Sequence, residues 1–153
     1  MMTNQEIFDK VAQHLLMQGR RSVDQRGKCA YRGKGGDRCA IGCLIPDGLY
    51  LARMEGVSVV PLLMSFPALC DGIGFEVLAW RVVIGFRENR AWLLDDLQRV
   101  HDAYAVDSWA GLLREIAAQH RLSAVIVGQT LRAKLEADYA ITTARADFAT
   151  VEA

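Results

Sequence analysis

Cys29-Ala30-Tyr31-Arg32-Gly33-Lys34-Gly35-Gly36-Asp37-Arg38-Cys39-Ala40-Ile41-Gly42-Cys43-Leu44-Ile45 is the stretch whose reading decides the fold. Residues 28–32 and 37–45 flank a glycine turn running from Gly33 to Gly36, which is the layout of a small hairpin. Cys39 to Leu44 also suits the start of a helix, so the second arm stays open on local grounds. Most of the remaining chain carries helical periodicity. The expected fold class is therefore α+β, mainly α-helical. It would be a single compact domain of about five or six helices with one small β-hairpin near residues 28–45.

Charge singles out the same region. Seven of the eighteen Lys and Arg residues fall between Arg20 and Arg38, and only Asp24 and Asp37 oppose them. That leaves about +5 on one segment of a chain whose formal net charge is zero. A neutral protein with pI near 6.8 does not attract bulk nucleic acid or an anionic membrane globally, so any anionic partner must be drawn locally. The candidate binding residues are Arg20, Arg21, Arg26, Lys28, Tyr31, Arg32, Lys34 and Arg38. Successive glycine amides form an anion-binding nest, and arginine forks match phosphate and carboxylate. Tyr31 adds an aromatic face on which a base stacks. A solvated basic turn accounts for the same residues without a partner.

Length and composition set the frame. A chain of 153 residues, 52% hydrophobic, buries one sizeable core, so residues 1–153 are expected to form one domain. The opening Met1-Met2-Thr3-Asn4-Gln5-Glu6 lacks the basic-then-apolar layout of a signal peptide. Four irregularly spaced cysteines then read as reduced thiols, and the expected location is cytoplasmic. Gly56 to Cys70 carries no charge, but Pro61, Pro67, Gly72 and Gly74 interrupt the apolar run that continues to Phe86. A spanning helix needs roughly twenty unbroken apolar residues, and no piece here reaches that length.

Thr3 with Glu6 three positions on is a capping box, followed by Ile7, Val11 and Leu15 on one face, and Gly19 is placed to end the helix. Ser58 opens a short helix that Pro67 must stop. Phe75 to Phe86 reads equally as strand or helix. Leu93, Leu97, Val100 and Tyr104 stripe a further helix. Trp109, Leu112, Leu113 and Ile116 stripe the next, capped by Asp107 or Ser108. Val127, Leu131, Leu135 and Tyr139 stripe the last, opened by Ser123, with a frayed tail expected after Thr142.

Residue spacing bears on several chemistries. Cys39 and Cys43 share a helix face, and Cys29 reaches them across a hairpin, giving three thiolates for zinc with Cys70 or a histidine as the fourth ligand. The spacing matches no zinc finger or ribbon, so no metal and no cofactor is expected, and buried apolar thiols are preferred. A nucleophilic cysteine amid Arg and Lys would need His14, His101 or His120 as its base. All three sit on helices, where a half-buried surface role is commoner. Gly33-Lys34-Gly35-Gly36 completes neither a Walker loop nor a dinucleotide fingerprint. Asp95 and Asp96 precede Arg99 at ion-pairing distance along a helix surface.

Three pieces together resemble a group of small phage- and prophage-encoded proteins. They are Thr3-Asn4-Gln5-Glu6-Ile7-Phe8-Asp9-Lys10-Val11, the centre Cys29-Ala30-Tyr31-Arg32-Gly33 with Cys39-Ala40-Ile41-Gly42-Cys43-Leu44-Ile45-Pro46-Asp47, and Leu94-Asp95-Asp96-Leu97-Gln98-Arg99-Val100-His101-Asp102. The resemblance covers a core of residues 1–122, with 123–153 as an added C-terminal helix. The group offers no catalytic assignment to carry over. The resemblance implies a context in which small accessory proteins bind and block host factors or defence systems. The expected function is therefore a non-enzymatic accessory protein that binds a host protein or a small anionic ligand through the basic segment. A zinc- or thiol-dependent enzyme and a nucleic-acid-binding regulator are the alternatives.

Overall fold

The computed structural model describes residues 2–69 and 90–151, with side chains as far as Thr143. Cys70 and the ambiguous stretch from Phe75 to Phe86 lie outside the described residues. Helix α1 (Asn4–Gln18) comes first. An irregular segment with 3₁₀ turns at Lys34–Gly36, Asp47–Leu49 and Ala52–Met54 then leads to α2 (Val59–Ser65). After these come α3 (Arg90–Ala103), a 3₁₀ turn at Val106–Ser108, α4 (Trp109–Gln119) and α5 (Val125–Val151).

Local chemistry explains α1. Thr3 Oγ1 accepts the Glu6 amide at 3.2 Å and the Glu6 carboxylate accepts the Thr3 amide at 2.6 Å, so two otherwise orphaned donors are satisfied. Gly19 ends the helix at φ 60, its N–H returning to the Leu15 carbonyl. Ile7, Val11 and Leu15 are buried together with Phe8, Ala12 and Leu16. Those are two adjoining rows at i, i+4, and a face that wide meets several neighbours. Helices α3, α4 and α5 all pack on it.

Leu93, Leu97 and Val100 of α3 and Trp109, Leu113 and Ile116 of α4 complete the buried centre. Each such side chain contributes about 1.5–3 kcal/mol by leaving water. Tyr104 departs from its expected stripe position. It lies past the end of α3, 41% exposed, and its carbonyl accepts the Trp109 indole N–H at 3.2 Å. Helix α4 has no side-chain cap from Ser108, because the preceding 3₁₀ turn holds Ser108 in helical geometry. Helix α5 is tied to α1 at both ends of the contact. Gln5 and the Ser123 backbone exchange two hydrogen bonds of 2.8 and 3.0 Å, and Lys134 Nζ donates to the Leu16 carbonyl. The backbone remains helical through Val151, beyond the point at which regular structure was expected to end.

The hairpin is not present, and the class is mainly helical rather than α+β: among the described residues there are no strands and no sheet. The segment makes two isolated bridges, Val23 with Cys29 and Arg32 with Arg38. A carboxylate takes the place of a partner strand. Glu55 accepts the Tyr31 and Arg32 amides at 2.9 and 3.0 Å through its two oxygens, and it also accepts the Tyr50 hydroxyl. The second arm curls, with the Cys43 amide bonded to the Cys39 carbonyl and the Leu44 amide to the Ile41 carbonyl. Gly42 closes that curl against Tyr31, since a Cβ there would lie 2.1 Å from the Tyr31 carbonyl oxygen.

Two stability outcomes follow from this packing. Glu55→Ala leaves two backbone amides without an acceptor and should cost about 2–4 kcal/mol in urea denaturation. Asp47→Ala, at a carboxylate that is 75% exposed, should cost about 1 kcal/mol or less. Equal costs would refute the role given to Glu55. Thr130 is 3% exposed and its hydroxyl has no hydrogen-bond partner among the described residues. Thr130→Val should raise the denaturation midpoint, by about 1 kcal/mol of stability, and a lowered midpoint would show that the hydroxyl is satisfied in solution.

Candidate functional site

The basic segment is fastened to the helices by polar side chains and by Tyr31, which joins the buried core. Ser22 is fully buried. Its amide donates to His101 Nε2 at 2.7 Å, and its hydroxyl donates to the carbonyls of Ala30 and Asp37. Gln18 spans to the Arg38 backbone in both directions, donating to its carbonyl and accepting its amide.

Those bonds separate the expected binding residues into two groups. Arg32 belongs to the fold. Its guanidinium donates to the carbonyls of Gly42 and Ile45 and to Asp47, and it lies 5.3 Å from the Tyr50 ring centroid. It thereby satisfies the carbonyl end of the 39–45 curl, as a cation does at a helix C-terminus. Arg38 shares Asp47 at 2.8 Å. Arg20 makes a two-pronged pair with Asp37 at 2.6 and 2.7 Å, and Arg21 donates to the Tyr104 carbonyl. Tyr31 is 5% exposed and its hydroxyl donates to the Val57 carbonyl, so it offers no open face for stacking. Arg26, Lys28 and Lys34 are exposed, and among the described residues their side chains make no hydrogen bond or salt bridge. These three are the outward charges of the segment.

The thiols do not converge either. Cys39 and Cys43 are buried separately, Cys39 Sγ accepting the Gly42 amide and Cys43 Sγ donating to the Ala40 carbonyl. Burial pushes both thiols up to about 12, far from the thiolate that nucleophilic catalysis needs. Cys29 instead approaches α3, where its Sγ and donor atoms of His101 and Asp102 lie within 4.8 Å of one another. Burial and the Asp102 carboxylate push this thiol up as well, reversing the effect expected from the surrounding arginines.

His101 decides what the trio can do. Its Nε2 lone pair accepts the Ser22 amide, so the proton sits on Nδ1 and is donated to Asp102 Oδ1 at 2.7 Å. A cation on Nδ1 would displace that proton and oppose an Nε2–H to the Ser22 N–H. The donor set therefore does not fit a resident metal. With both nitrogens committed, His101 is not a base for Cys29. Asp102 accepts from Gln98 Nε2 as well, and Gln98 Oε1 accepts the Ile41 amide. Against burial, the hydrogen bonds from His101 and Gln98 bring the Asp102 carboxyl below its ordinary value. A cleft of about 420 Å³ opens beside the trio, lined by Cys29, Glu55, Asp95, Gln98, Arg99 and Asp102 among others.

His120 donates to Asp96 Oδ2 at 2.9 Å while Arg99 holds Asp96 Oδ1. The expected Asp96–Arg99 pair thus forms, but on a carboxylate that is 9% exposed rather than on a solvent face. Sequence reasoning missed Ser22, Glu55, Gln98 and Asp102 as site residues, and named His101 only as a possible base for a cysteine. The readable signal was spacing, since Gln98, His101 and Asp102 at i, i+3 and i+4 share one helix face. No family model, curated protein or solved structure matches the chain. Among the described residues, no helix is long and apolar enough to cross a membrane.

The state of Cys29 is directly measurable. Its alkylation by iodoacetamide near pH 7.5 should be slower than that of a free model thiol. Asp102→Asn should accelerate it by removing the neighbouring negative charge. Mass spectrometry of the Cys29 peptide reads both rates, and an unchanged rate in Asp102→Asn would remove the carboxylate from the account.

Proposed function

We propose that this chain is a non-enzymatic binding protein that engages a host factor, a protein or a small anionic ligand, through the basic segment. On this reading it acts in the cytoplasm as a phage or prophage accessory protein that inhibits or blocks host defence. The observation that carries the binding role is the separation of charges within the segment. Arg20, Arg32 and Arg38 are each paired with a carboxylate, whereas Arg26, Lys28 and Lys34 project from a backbone fixed by Ser22, Gln18 and Glu55. A pre-fixed display of like charges costs little further ordering on binding. The non-enzymatic part rests on the thiols, all three of the described ones being raised rather than activated.

The test is charge reversal at the outward residues only. Arg26→Glu, Lys28→Glu and Lys34→Glu together should abolish capture of a specific host component from a bacterial lysate and leave the thermal midpoint within a few degrees. Capture identical to that of the parent protein would overturn the assignment of this surface. Arg32→Glu should behave oppositely, lowering the midpoint because the Ile45 carbonyl loses its side-chain donor, the Gly42 carbonyl keeps only the Ile45 amide, and a carboxylate replaces the guanidinium beside Asp47.

A further inference from the structure

A second concavity, of about 660 Å³, lies where α1, α5 and the 36–43 segment meet. Its lining contains Lys10 and Arg38 and no carboxylate, the opposite of the cleft at Cys29. Lys10 is exposed, and its ammonium makes no hydrogen bond or salt bridge among the described residues. Arg38 commits one terminal nitrogen to Asp47, leaving its other donors. Burial pushes the Cys43 thiol up, and Lys10, Arg38 and Arg32 each pull against that rise. Gln13 and Gln129 add amide donors and acceptors, while Met17, half exposed, and Ile126 offer apolar surface. His14 does not complicate the charge. Its Nε2 donates to the Arg38 carbonyl at 2.8 Å, and burial lowers its pKa, which favours the neutral ring.

Two cations facing one hollow match a dianion better than a single carboxylate. A phosphate monoester carries about −1.5 to −2 near neutral pH, and the hollow is within the size range of small-molecule sites. Two of the walls belong to α1 and α5, the most extensively packed pair of helices described, and the third, with Arg38, to the 36–43 segment. At Gly36 the rim is open, since a Cβ there would meet nothing within 4 Å.

We propose that this groove binds a small organic phosphate, with Lys10 and Arg38 on the phosphate and the organic body resting against Met17 and Ile126. The proposal deepens the anionic-ligand branch of the function above and rests on that reading, but it places the ligand in the groove rather than on the outward face of Arg26, Lys28 and Lys34. Isothermal titration calorimetry with adenosine monophosphate tests it, with adenosine and inorganic phosphate titrated separately. Adenosine monophosphate should bind more tightly than either part alone. Lys10→Gln should weaken it at least about tenfold, the loss of one charge-assisted contact. Lys10 has no partner among the described residues, so this variant should leave the structure intact, whereas Arg38→Gln also breaks the bond to Asp47 and is read only alongside it. Arg114→Gln, an exposed charge on α4, controls for net charge and should leave affinity unchanged.

Three results would overturn the site: no heat with adenosine monophosphate, equal affinity for adenosine, or full affinity in Lys10→Gln. If any of these occurs while lysate capture still depends on Arg26, Lys28 and Lys34, the groove fails and the outward surface stands. If capture is insensitive to those three while nucleotide binding follows Lys10, the groove stands and the outward surface fails.

Discussion

A backbone amide donated to a buried imidazole holds the basic segment in place. The Ser22 N–H takes the Nε2 lone pair of His101, and both groups are fully buried. That single bond sets the tautomer, which sends the Nδ1 proton to Asp102. Asp102 then orients Gln98, and Gln98 accepts the amide of Ile41 at the far end of the segment. On the other side the Ser22 hydroxyl reaches the carbonyls of Ala30 and Asp37. In a stretch without α-helix or sheet, the amides of Ser22 and Ile41 and the carbonyls of Ala30 and Asp37 thereby find side-chain partners. The neutral imidazole that makes this possible is also what withholds His101 from acid–base chemistry and from metal.

The electrostatics look different once pairings are known. A local charge of about +5 in a neutral chain suggests a surface poised for an anion. In the folded protein the acids that compensate it are not remote. Asp37 and Asp47 lie within or just beyond the segment and engage Arg20, Arg32 and Arg38. These pairs are partly exposed and individually weak. Arg32 matters for another reason: it donates to the Ile45 carbonyl and gives the Gly42 carbonyl, which already accepts the Ile45 amide, a second donor. The charge available to a partner is therefore smaller than the sequence suggests and more sharply located, at Arg26, Lys28 and Lys34 on one face and at Lys10 with Arg38 in the groove.

How much of this was legible depends on the range of the interaction. The capping box at Thr3 and Glu6, the left-handed stop at Gly19 and the apolar rows of α1 are local, and a sequence window contains all that they require. Asp96 and Arg99 are equally local, but the burial of Asp96 depends on His120, twenty-four positions away. The hairpin expectation failed for the same reason. Residues 28–45 carry the turn chemistry and alternation of paired strands, yet Glu55 supplies the acceptors that Tyr31 and Arg32 would have sought from a second strand. Nothing in residues 28–45 announces that acceptor. Cys29 shows the same limit in electrostatics, since its arginine neighbours in sequence matter less than Asp102, its neighbour in space.

The span of these contacts also orders the assembly of the molecule. Ser22 and His101 are 79 positions apart, and Gln5 and Ser123 are 118 apart. Helix α1, capped by its own sequence, can form as soon as it is synthesised. The segment after it has no local ladder and cannot settle until α3 exists to receive it, so it spends most of synthesis uncommitted. The clasp between Gln5 and Ser123 comes later still and seats α5 on a helix that precedes it by more than a hundred positions. Helix α1 thus acts as a template that waits, and the fold closes only when the start of α5 reaches it.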